Sequence, residues 1–240
     1  MDVEKKTIRQ FSRDIEALGG YVYTGKTRAS MRLFDKRASL AIAELVRITG
    51  GTVLDIGCGD GANTMELLTT LKPASVVGIE PSEAWRAARD KYADHAPRVE
   101  FRQGTAYDLP FPNGAFDLAF MRGVLHHMDD PQSALREACR VARRVFLLEP
   151  NGYNPVLKLI ERLSPYHRAH GERSYAPALI RDWLRQAGGE VTGESFRSLV
   201  PTFCPDRLAV FLDWLSPHWE RLPLIPAFTC GFYCVMAKTL

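Results

Sequence analysis

Residues 53–64 read VLDIGCGDGANT: an apolar run, then glycines at 57, 59 and 61, then a stretch that suits a helix. Glycines so placed remove side chains where something approaches the backbone closely. Two readings stand here: a tight strand-to-helix turn with no ligand, and a turn that cradles a nucleotide. The dinucleotide fingerprint is G-x-G-x-x-G, and in this chain the third glycine comes one residue early. Asp55 stands two residues before the first glycine, where a fixed carboxylate repels pyrophosphate and suits a cation. Glu80 closes the next apolar stretch, SVVGIE, where an acid can accept hydrogen bonds from both hydroxyls of a ribose. Its position at a strand end weighs against a solvated loop carboxylate. The pocket so described takes a nucleoside bound to something positive.

Working outward, LAIAELVRITGG sets Ile42, Leu45 and Val46 on one helical face and predicts a stop at Gly50-Gly51. Helical spacing returns at Met65, Leu68 and Leu71, and again over PSEAWRAARDKYADHA, with Pro81 expected in its first turn. RVEFRQG, AFDLAFMRG and RVFLLEP read as strands, and DDPQSALREACRVA as a helix with Asp130 as N-cap and Pro131 at its first position. APALIRDWLRQAGG reads as a further helix, followed by strands in VTGESFRSL and GFYCVMAKT. Short β-branched strands alternating with amphipathic helices predict an α/β fold, a doubly wound, seven-stranded Rossmann-like sheet. Only residues 199–229 separate the last two strands, consistent with a reversed, antiparallel final strand.

The 240 residues suit a single domain with insertions, 46% hydrophobic and 25% charged. A net charge of +3, without long runs of either sign, is too mild to argue for nucleic acid or an anionic membrane as partner. The polar start MDVEKKTIRQ predicts no signal peptide, and no apolar run is long enough for a membrane span. Five scattered cysteines without C-x-x-C pairs predict reduced core thiols and a cytoplasmic location.

VLDIGCGDG, VVGIEPS, GTAYDLPFPNGAFDLAF and GVLHHMDDP, in this order, resemble the successive motifs of class I S-adenosylmethionine-dependent methyltransferases. The resemblance is to the small-molecule branch typified by ubiquinone/menaquinone C-methyltransferases, and it covers residues 52 to about 150. It implies S-adenosyl-L-methionine as cofactor, with Gly57, Cys58 and Gly59 packed against it and Asp55 near its methionine amino group. It further implies Glu80 on the ribose, Pro81 beside the adenine, and Thr105 and Ala106 at the adenine clamp, with Ala106 offering its backbone N–H. The family often has aspartate where Thr105 stands. Arg122 falls near the methionine end.

His126 and His127 lie at the mouth of the same pocket, and a histidine is the usual general base near neutral pH. The alternative is that one of them packs against the neighbouring helix. HRAH adds His167 and His170, but without carboxylates at ligand spacing no metal is expected. The domain divides into an N-terminal arm or lid at 1–37, a cofactor-binding half at 38–150 and a substrate-side half at 151–240. In the last, segments 150–175 and 199–229 exceed the core fold. In the second, Leu208, Phe211, Leu212 and Leu215 form a helical stripe that Val210 and Trp214 widen. Core packing, a dimer contact and a cover over an apolar acceptor all fit such an arc. The aromatic residues of that segment, Phe203 and Trp219 included, and His167 and Tyr175 from the first point to an acceptor pocket. Tyr21 and Tyr23 could close over a sulfonium from the other side.

The expected reaction is in-line transfer of a methyl group to a small, partly apolar or lipid-like metabolite. The expected partners are that acceptor and, at most, a second copy, with no nucleic acid. Two alternatives remain: a nicotinamide-dependent oxidoreductase, and a non-catalytic protein that retains the cofactor. Protein or nucleic-acid methylation is disfavoured, because no N-P-P-Y-type tetrapeptide follows the fourth strand and EPNGYNP after the fifth does not substitute for it.

Overall fold

Four of the five residues in β1 (Thr52–Ile56) are buried, which only a central strand covered on both faces allows. The computed structural model describes residues 28–48, 50–164, 173–202 and 204–239, together with residues 5, 8–10, 12 and 13. β1 pairs in parallel with β2 (Ser75–Glu80) on one side and β4 (Leu118–Arg122) on the other. β3 (Val99–Gln103) extends the sheet beyond β2, and β5 (Arg144–Pro150) lies beside β4. β7 (Phe232–Thr239) inserts antiparallel between β5 and β6 (Gly189–Arg197), so the order is β3-β2-β1-β4-β5-β7-β6. The doubly wound sheet and its reversed last strand are as the alternation predicts.

Alternate residues of β1 feed opposite faces. Leu54 and Ile56 join one core cluster, with Leu135 and Ala138 of α4 (Pro131–Val141) and Ile180 and Leu184 of α6 (Pro177–Gln186). Val53 joins the other, with Ala38, Ala41 and Ile42 of α1 (Ala29–Leu45) and Leu67 of α2 (Ala62–Thr70). Asp130 caps α4 as expected, its Oδ1 accepting from the Ser133 N–H at 3.1 Å ahead of Pro131. All five cysteines are buried and unpaired.

Three local expectations fail. α1 begins well before the periodic stretch and ends at Leu45, before the two glycines, so its span crosses the boundary expected at residue 37. The helix after β2, α3 (Ala84–Lys91), starts three residues beyond Pro81. Pro81 stays outside it because the Glu80 carboxylate holds the intervening turn, accepting from the Ser82 N–H at 2.9 Å. The third is the core-packing reading of the stripe on α7 (Asp206–Trp219): Leu208, Val210, Phe211 and Trp214 are exposed, and Leu212 and Leu215 only half-buried. Its buried side is Ala209, Asp213 and Ser216. Asp213 is drawn inward by Arg37, at 2.6 Å, and by Lys36, at 2.9 Å, both on α1. Tyr21, Tyr23, His167, His170 and Phe203 lie outside the described residues.

Candidate active site

The strand order reverses between β1 and β4, and a doubly wound sheet opens a crevice at the carboxyl ends of its strands there. A cavity of ≈ 350 Å³ occupies that place. On one wall lie Gly57, Cys58 and Gly59 of the turn after β1, and Glu80 and Pro81 after β2. Gly57, Gly59 and Gly61 all have positive φ, at 76°, 56° and 78°, a backbone that side-chain-bearing residues rarely adopt. At Gly57 a Cβ would also meet Val124 Cγ2 at 2.6 Å. The turn's first N–H groups after β1 divide between two acceptors: Gly57 and Cys58 donate to the Ile79 carbonyl, at 2.8 and 3.1 Å, and Gly59 to a side chain at the end of β2.

That side chain is Glu80. One carboxylate oxygen accepts from the Gly59 N–H at 3.1 Å and the other from Ser82 N–H at 2.9 Å. Burial pushes the Glu80 carboxyl up, and the hydrogen bonds from Ser82 and Gly59 oppose that rise. Each oxygen keeps a lone pair, so the group can still accept from two hydroxyls in the cavity it lines. Beyond it Thr105 and Ala106 line the adjoining wall, Thr105 Oγ1 accepting from the Tyr107 N–H at 3.3 Å.

Asp55 departs from expectation. It is buried beneath the glycine turn, is not among the residues that line the cavity, and accepts from Thr64 Oγ1 at 2.6 Å. Burial lifts its carboxyl to about 7, against the Thr64 hydrogen bond and the Arg122 charge, which lower it. Its place on the wall is taken by acids the sequence did not single out, Asp60 and Asp35. Arg122 does line the cavity, but its guanidinium is committed to Asp35 at 2.5 Å and Glu66 at 3.1 Å. It thus ties α1 and α2 across the cavity's end, and the net charge left there favours a cation.

On the far side stand His126 and His127, in the short turn after β4, with ring centroids 3.9 Å apart. They differ in what holds them. His126 Nδ1 is 2.8 Å from Glu149 Oε2. Glu149 is itself fully buried at the end of β5 and accepts from the Val124 and Leu125 N–H groups, each at 2.9 Å. A carboxylate takes only donors, so Nδ1 carries the proton and Nε2 is the basic nitrogen. Glu149 escaped the sequence reading; the available signal was an acid ending an otherwise apolar strand, RVFLLEP. Met31 and Phe34 of α1 and Leu157 of α5 (Pro155–Leu163) add apolar wall, with Glu161 and Arg173 at its polar edge. Segment 150–175 thus reaches the cavity, while among the described residues of 199–229 only Thr202 does, and none of α7.

Comparison with known proteins agrees with this geometry. Residues 54–146 match the family model described as "Methyltransferase domain". The 27-O-demethylrifamycin SV methyltransferase of Amycolatopsis mediterranei is 37% identical over 118 residues, 48% of this chain and 42% of that protein. The fatty-acid O-methyltransferase of Mycolicibacterium smegmatis is 27% identical over 194 residues, 67% of this chain and 66% of that one. The chain covers less than half the length of several curated relatives. A solved structure from Thermotoga maritima, described as a possible histamine N-methyltransferase, shares the fold with a TM-score of 0.67 at 19% identity. That match covers 96% of this chain and 98% of the other. The match to a methyltransferase domain falls on β1 to β5, the part of the sheet that carries the glycine turn and one wall of the cavity.

Proposed function

We propose that the protein transfers a methyl group from S-adenosyl-L-methionine to an oxygen of a small, partly apolar acceptor, with His126 as the general base. The observation that carries this reading is His126, on the wall of the cavity that Gly59 and Glu80 also line, with its Nδ1 held from behind by the buried Glu149. The cavity fits the cofactor by its chemistry. Glu80 has lone pairs for the ribose hydroxyls, Thr105 and Ala106 lie where an adenine would stack, and Asp35 and Asp60 suit the positively charged end. When bound, the cofactor supplies an electrophilic methyl group on a sulfonium.

The protein's part is to align donor and acceptor and to exclude water. Met31, Phe34, Leu157 and Phe232 give the acceptor end an apolar wall. His126 Nε2 takes the proton of an acceptor hydroxyl as its oxygen gains the methyl group, and Glu149 stabilises the imidazolium through Nδ1–H. Named relatives support oxygen as the acceptor atom, since the Mycolicibacterium protein is an O-methyltransferase by name. In this reading residues 38–150 hold the cofactor, residues 151–175 complete the acceptor side, and the enzyme works in the cytoplasm.

The test is incubation with methyl-labelled cofactor and a panel of apolar alcohols and phenols, each beside its O-methyl analogue, with products identified by mass spectrometry. Label on the free hydroxyl compounds and none on the capped ones is expected. Labelling of capped compounds, or calorimetry showing no affinity for S-adenosylhomocysteine, overturns the reading.

A further inference from the structure

Large apolar side chains are unevenly exposed. Among the described residues, all the exposed ones except Leu40 and Leu179 fall in 156–163 or 208–228. These are α5, α7 and the short α8 (Ile225–Thr229). The three helices are physically joined. Asn154, which caps α5, donates from Nδ2 to the Thr229 carbonyl at 3.0 Å, and Tyr153 packs on Phe228 with centroids 5.9 Å apart. Trp219 at the end of α7 donates from Nε1 to Thr229 Oγ1 at 2.9 Å. Trp214 is 66% exposed and Leu224 81%, values far outside what a monomer's surface needs.

The charges on these helices are sorted. Of their acids, Asp213 and Glu220 are bound to Arg37 and Arg197 and Glu161 to Lys158, while Asp206 stays exposed and accepts from the Ala29 N–H at 3.3 Å. Arg162, Arg207 and Arg221 are left facing solvent, with no carboxylate partner among the described residues. On α7 the row Arg207, Phe211, Trp214 and His218 runs along one exposed face. Exposed aromatic and aliphatic side chains with exposed arginines among them, on three joined helices, match an anionic lipid interface. A second copy fits less well, because a two-fold contact sets the patch against itself and brings arginine toward arginine.

We propose that the surface formed by α5, α7 and α8 docks the protein on the face of an anionic lipid bilayer. The proposal stands on this surface alone and needs no methyl transfer. α5 gives it a consequence, for the helix shows Val156, Leu159 and Leu163 outward while Leu157 and Glu161 line the cavity on its other side. Docking therefore sets one wall of the cavity against the lipid.

The experiment is co-sedimentation of the full chain with phosphatidylcholine vesicles with and without phosphatidylglycerol, at low and raised salt. Light scattering in the absence of lipid accompanies it. The expected result is binding to the anionic vesicles alone, weakened by salt. F211S/W214S should abolish it, and R207Q/R221Q should lower partitioning by roughly tenfold or more. Both pairs are solvent-facing, and an unchanged melting transition shows that each variant is folded. Three results overturn the proposal. One is no binding by a monomeric wild type. Another is binding that neither pair alters. The third is a doubled mass in solution that F211S/W214S returns to that of the monomer, which assigns the face to a second copy. None of these readouts depends on turnover, so failure here leaves the methyl-transfer reading to its own test.

Discussion

His126 Nδ1 lies 2.8 Å from Glu149 Oε2, and this buried pair joins the turn after β4 to the end of β5, with His126 on the wall of the cavity. It sets the tautomer of His126, whose Nδ1–H is held by a carboxylate. His126→Asn should therefore lower kcat by about 10²–10⁴ while S-adenosylhomocysteine affinity, read by calorimetry, stays near wild type. Glu149→Gln should also lower kcat more than it raises KM, because the amide keeps an acceptor for the backbone but cannot favour the imidazolium. A loss in His127→Asn as large as in His126→Asn would reverse the assignment.

Glu80→Ala should weaken S-adenosylhomocysteine binding. Charge-assisted hydrogen bonds contribute about 1.5–3 kcal/mol each, so an affinity loss of one order of magnitude or more is expected. The same change frees the Gly59 and Ser82 N–H groups, which loosens the turn. Gly57→Ala should be worse for both binding and stability, since it combines a φ of 76° with a clash against Val124. Calorimetry and thermal melting on the two variants separate the effects.

The pH dependence of stability follows from Asp55. Its carboxyl is lifted by burial to about 7, well above 3.8, so the folded protein holds a proton that the unfolded chain has released. Stability therefore falls as pH rises between those values and levels off above the upper one. Glu80, raised by burial as well, contributes with the same sign. Asp55→Asn keeps an acceptor for Thr64 and removes the titration, so the cofactor-free variant should lose less stability than wild type between the two ends of that window. Equal slopes in denaturant titrations would show that another group is responsible.

Asp213→Ala should destabilise the fold by about 3 kcal/mol, because it leaves Arg37 buried and without its 2.6 Å partner. Trp214→Ala, one residue away, should change stability by no more than about 0.5 kcal/mol. It should leave KM for a water-soluble acceptor unchanged, since α7 does not reach the cavity. Denaturant midpoints and acceptor kinetics on the pair check both statements.

The sequence by itself determined the sheet, the glycine turn, Glu80 at the end of β2 and the Asp130 cap, because each is written in short-range terms. Period-two and period-3.6 patterns, glycines at positive φ and a cap three residues from its donor all act within a few residues of chain. Only the tertiary structure decided which groups face the cavity. Asp55 and Asp35 exchanged roles because Thr64 draws one beneath the turn and Arg122 holds the other on the wall. His126 was singled out by Glu149, 23 residues along the chain but on the neighbouring strand. The orientation of α7 is the clearest case. Core packing of its hydrophobic stripe is one of three readings of the sequence, yet Arg37, 176 residues away, offers a buried charge that Asp213 meets at 2.6 Å, with Glu220 at 4.0 Å. An unpaired buried charge costs more than leaving apolar residues in water, so the ion pair sets the helix's rotation and leaves Phe211 and Trp214 outside.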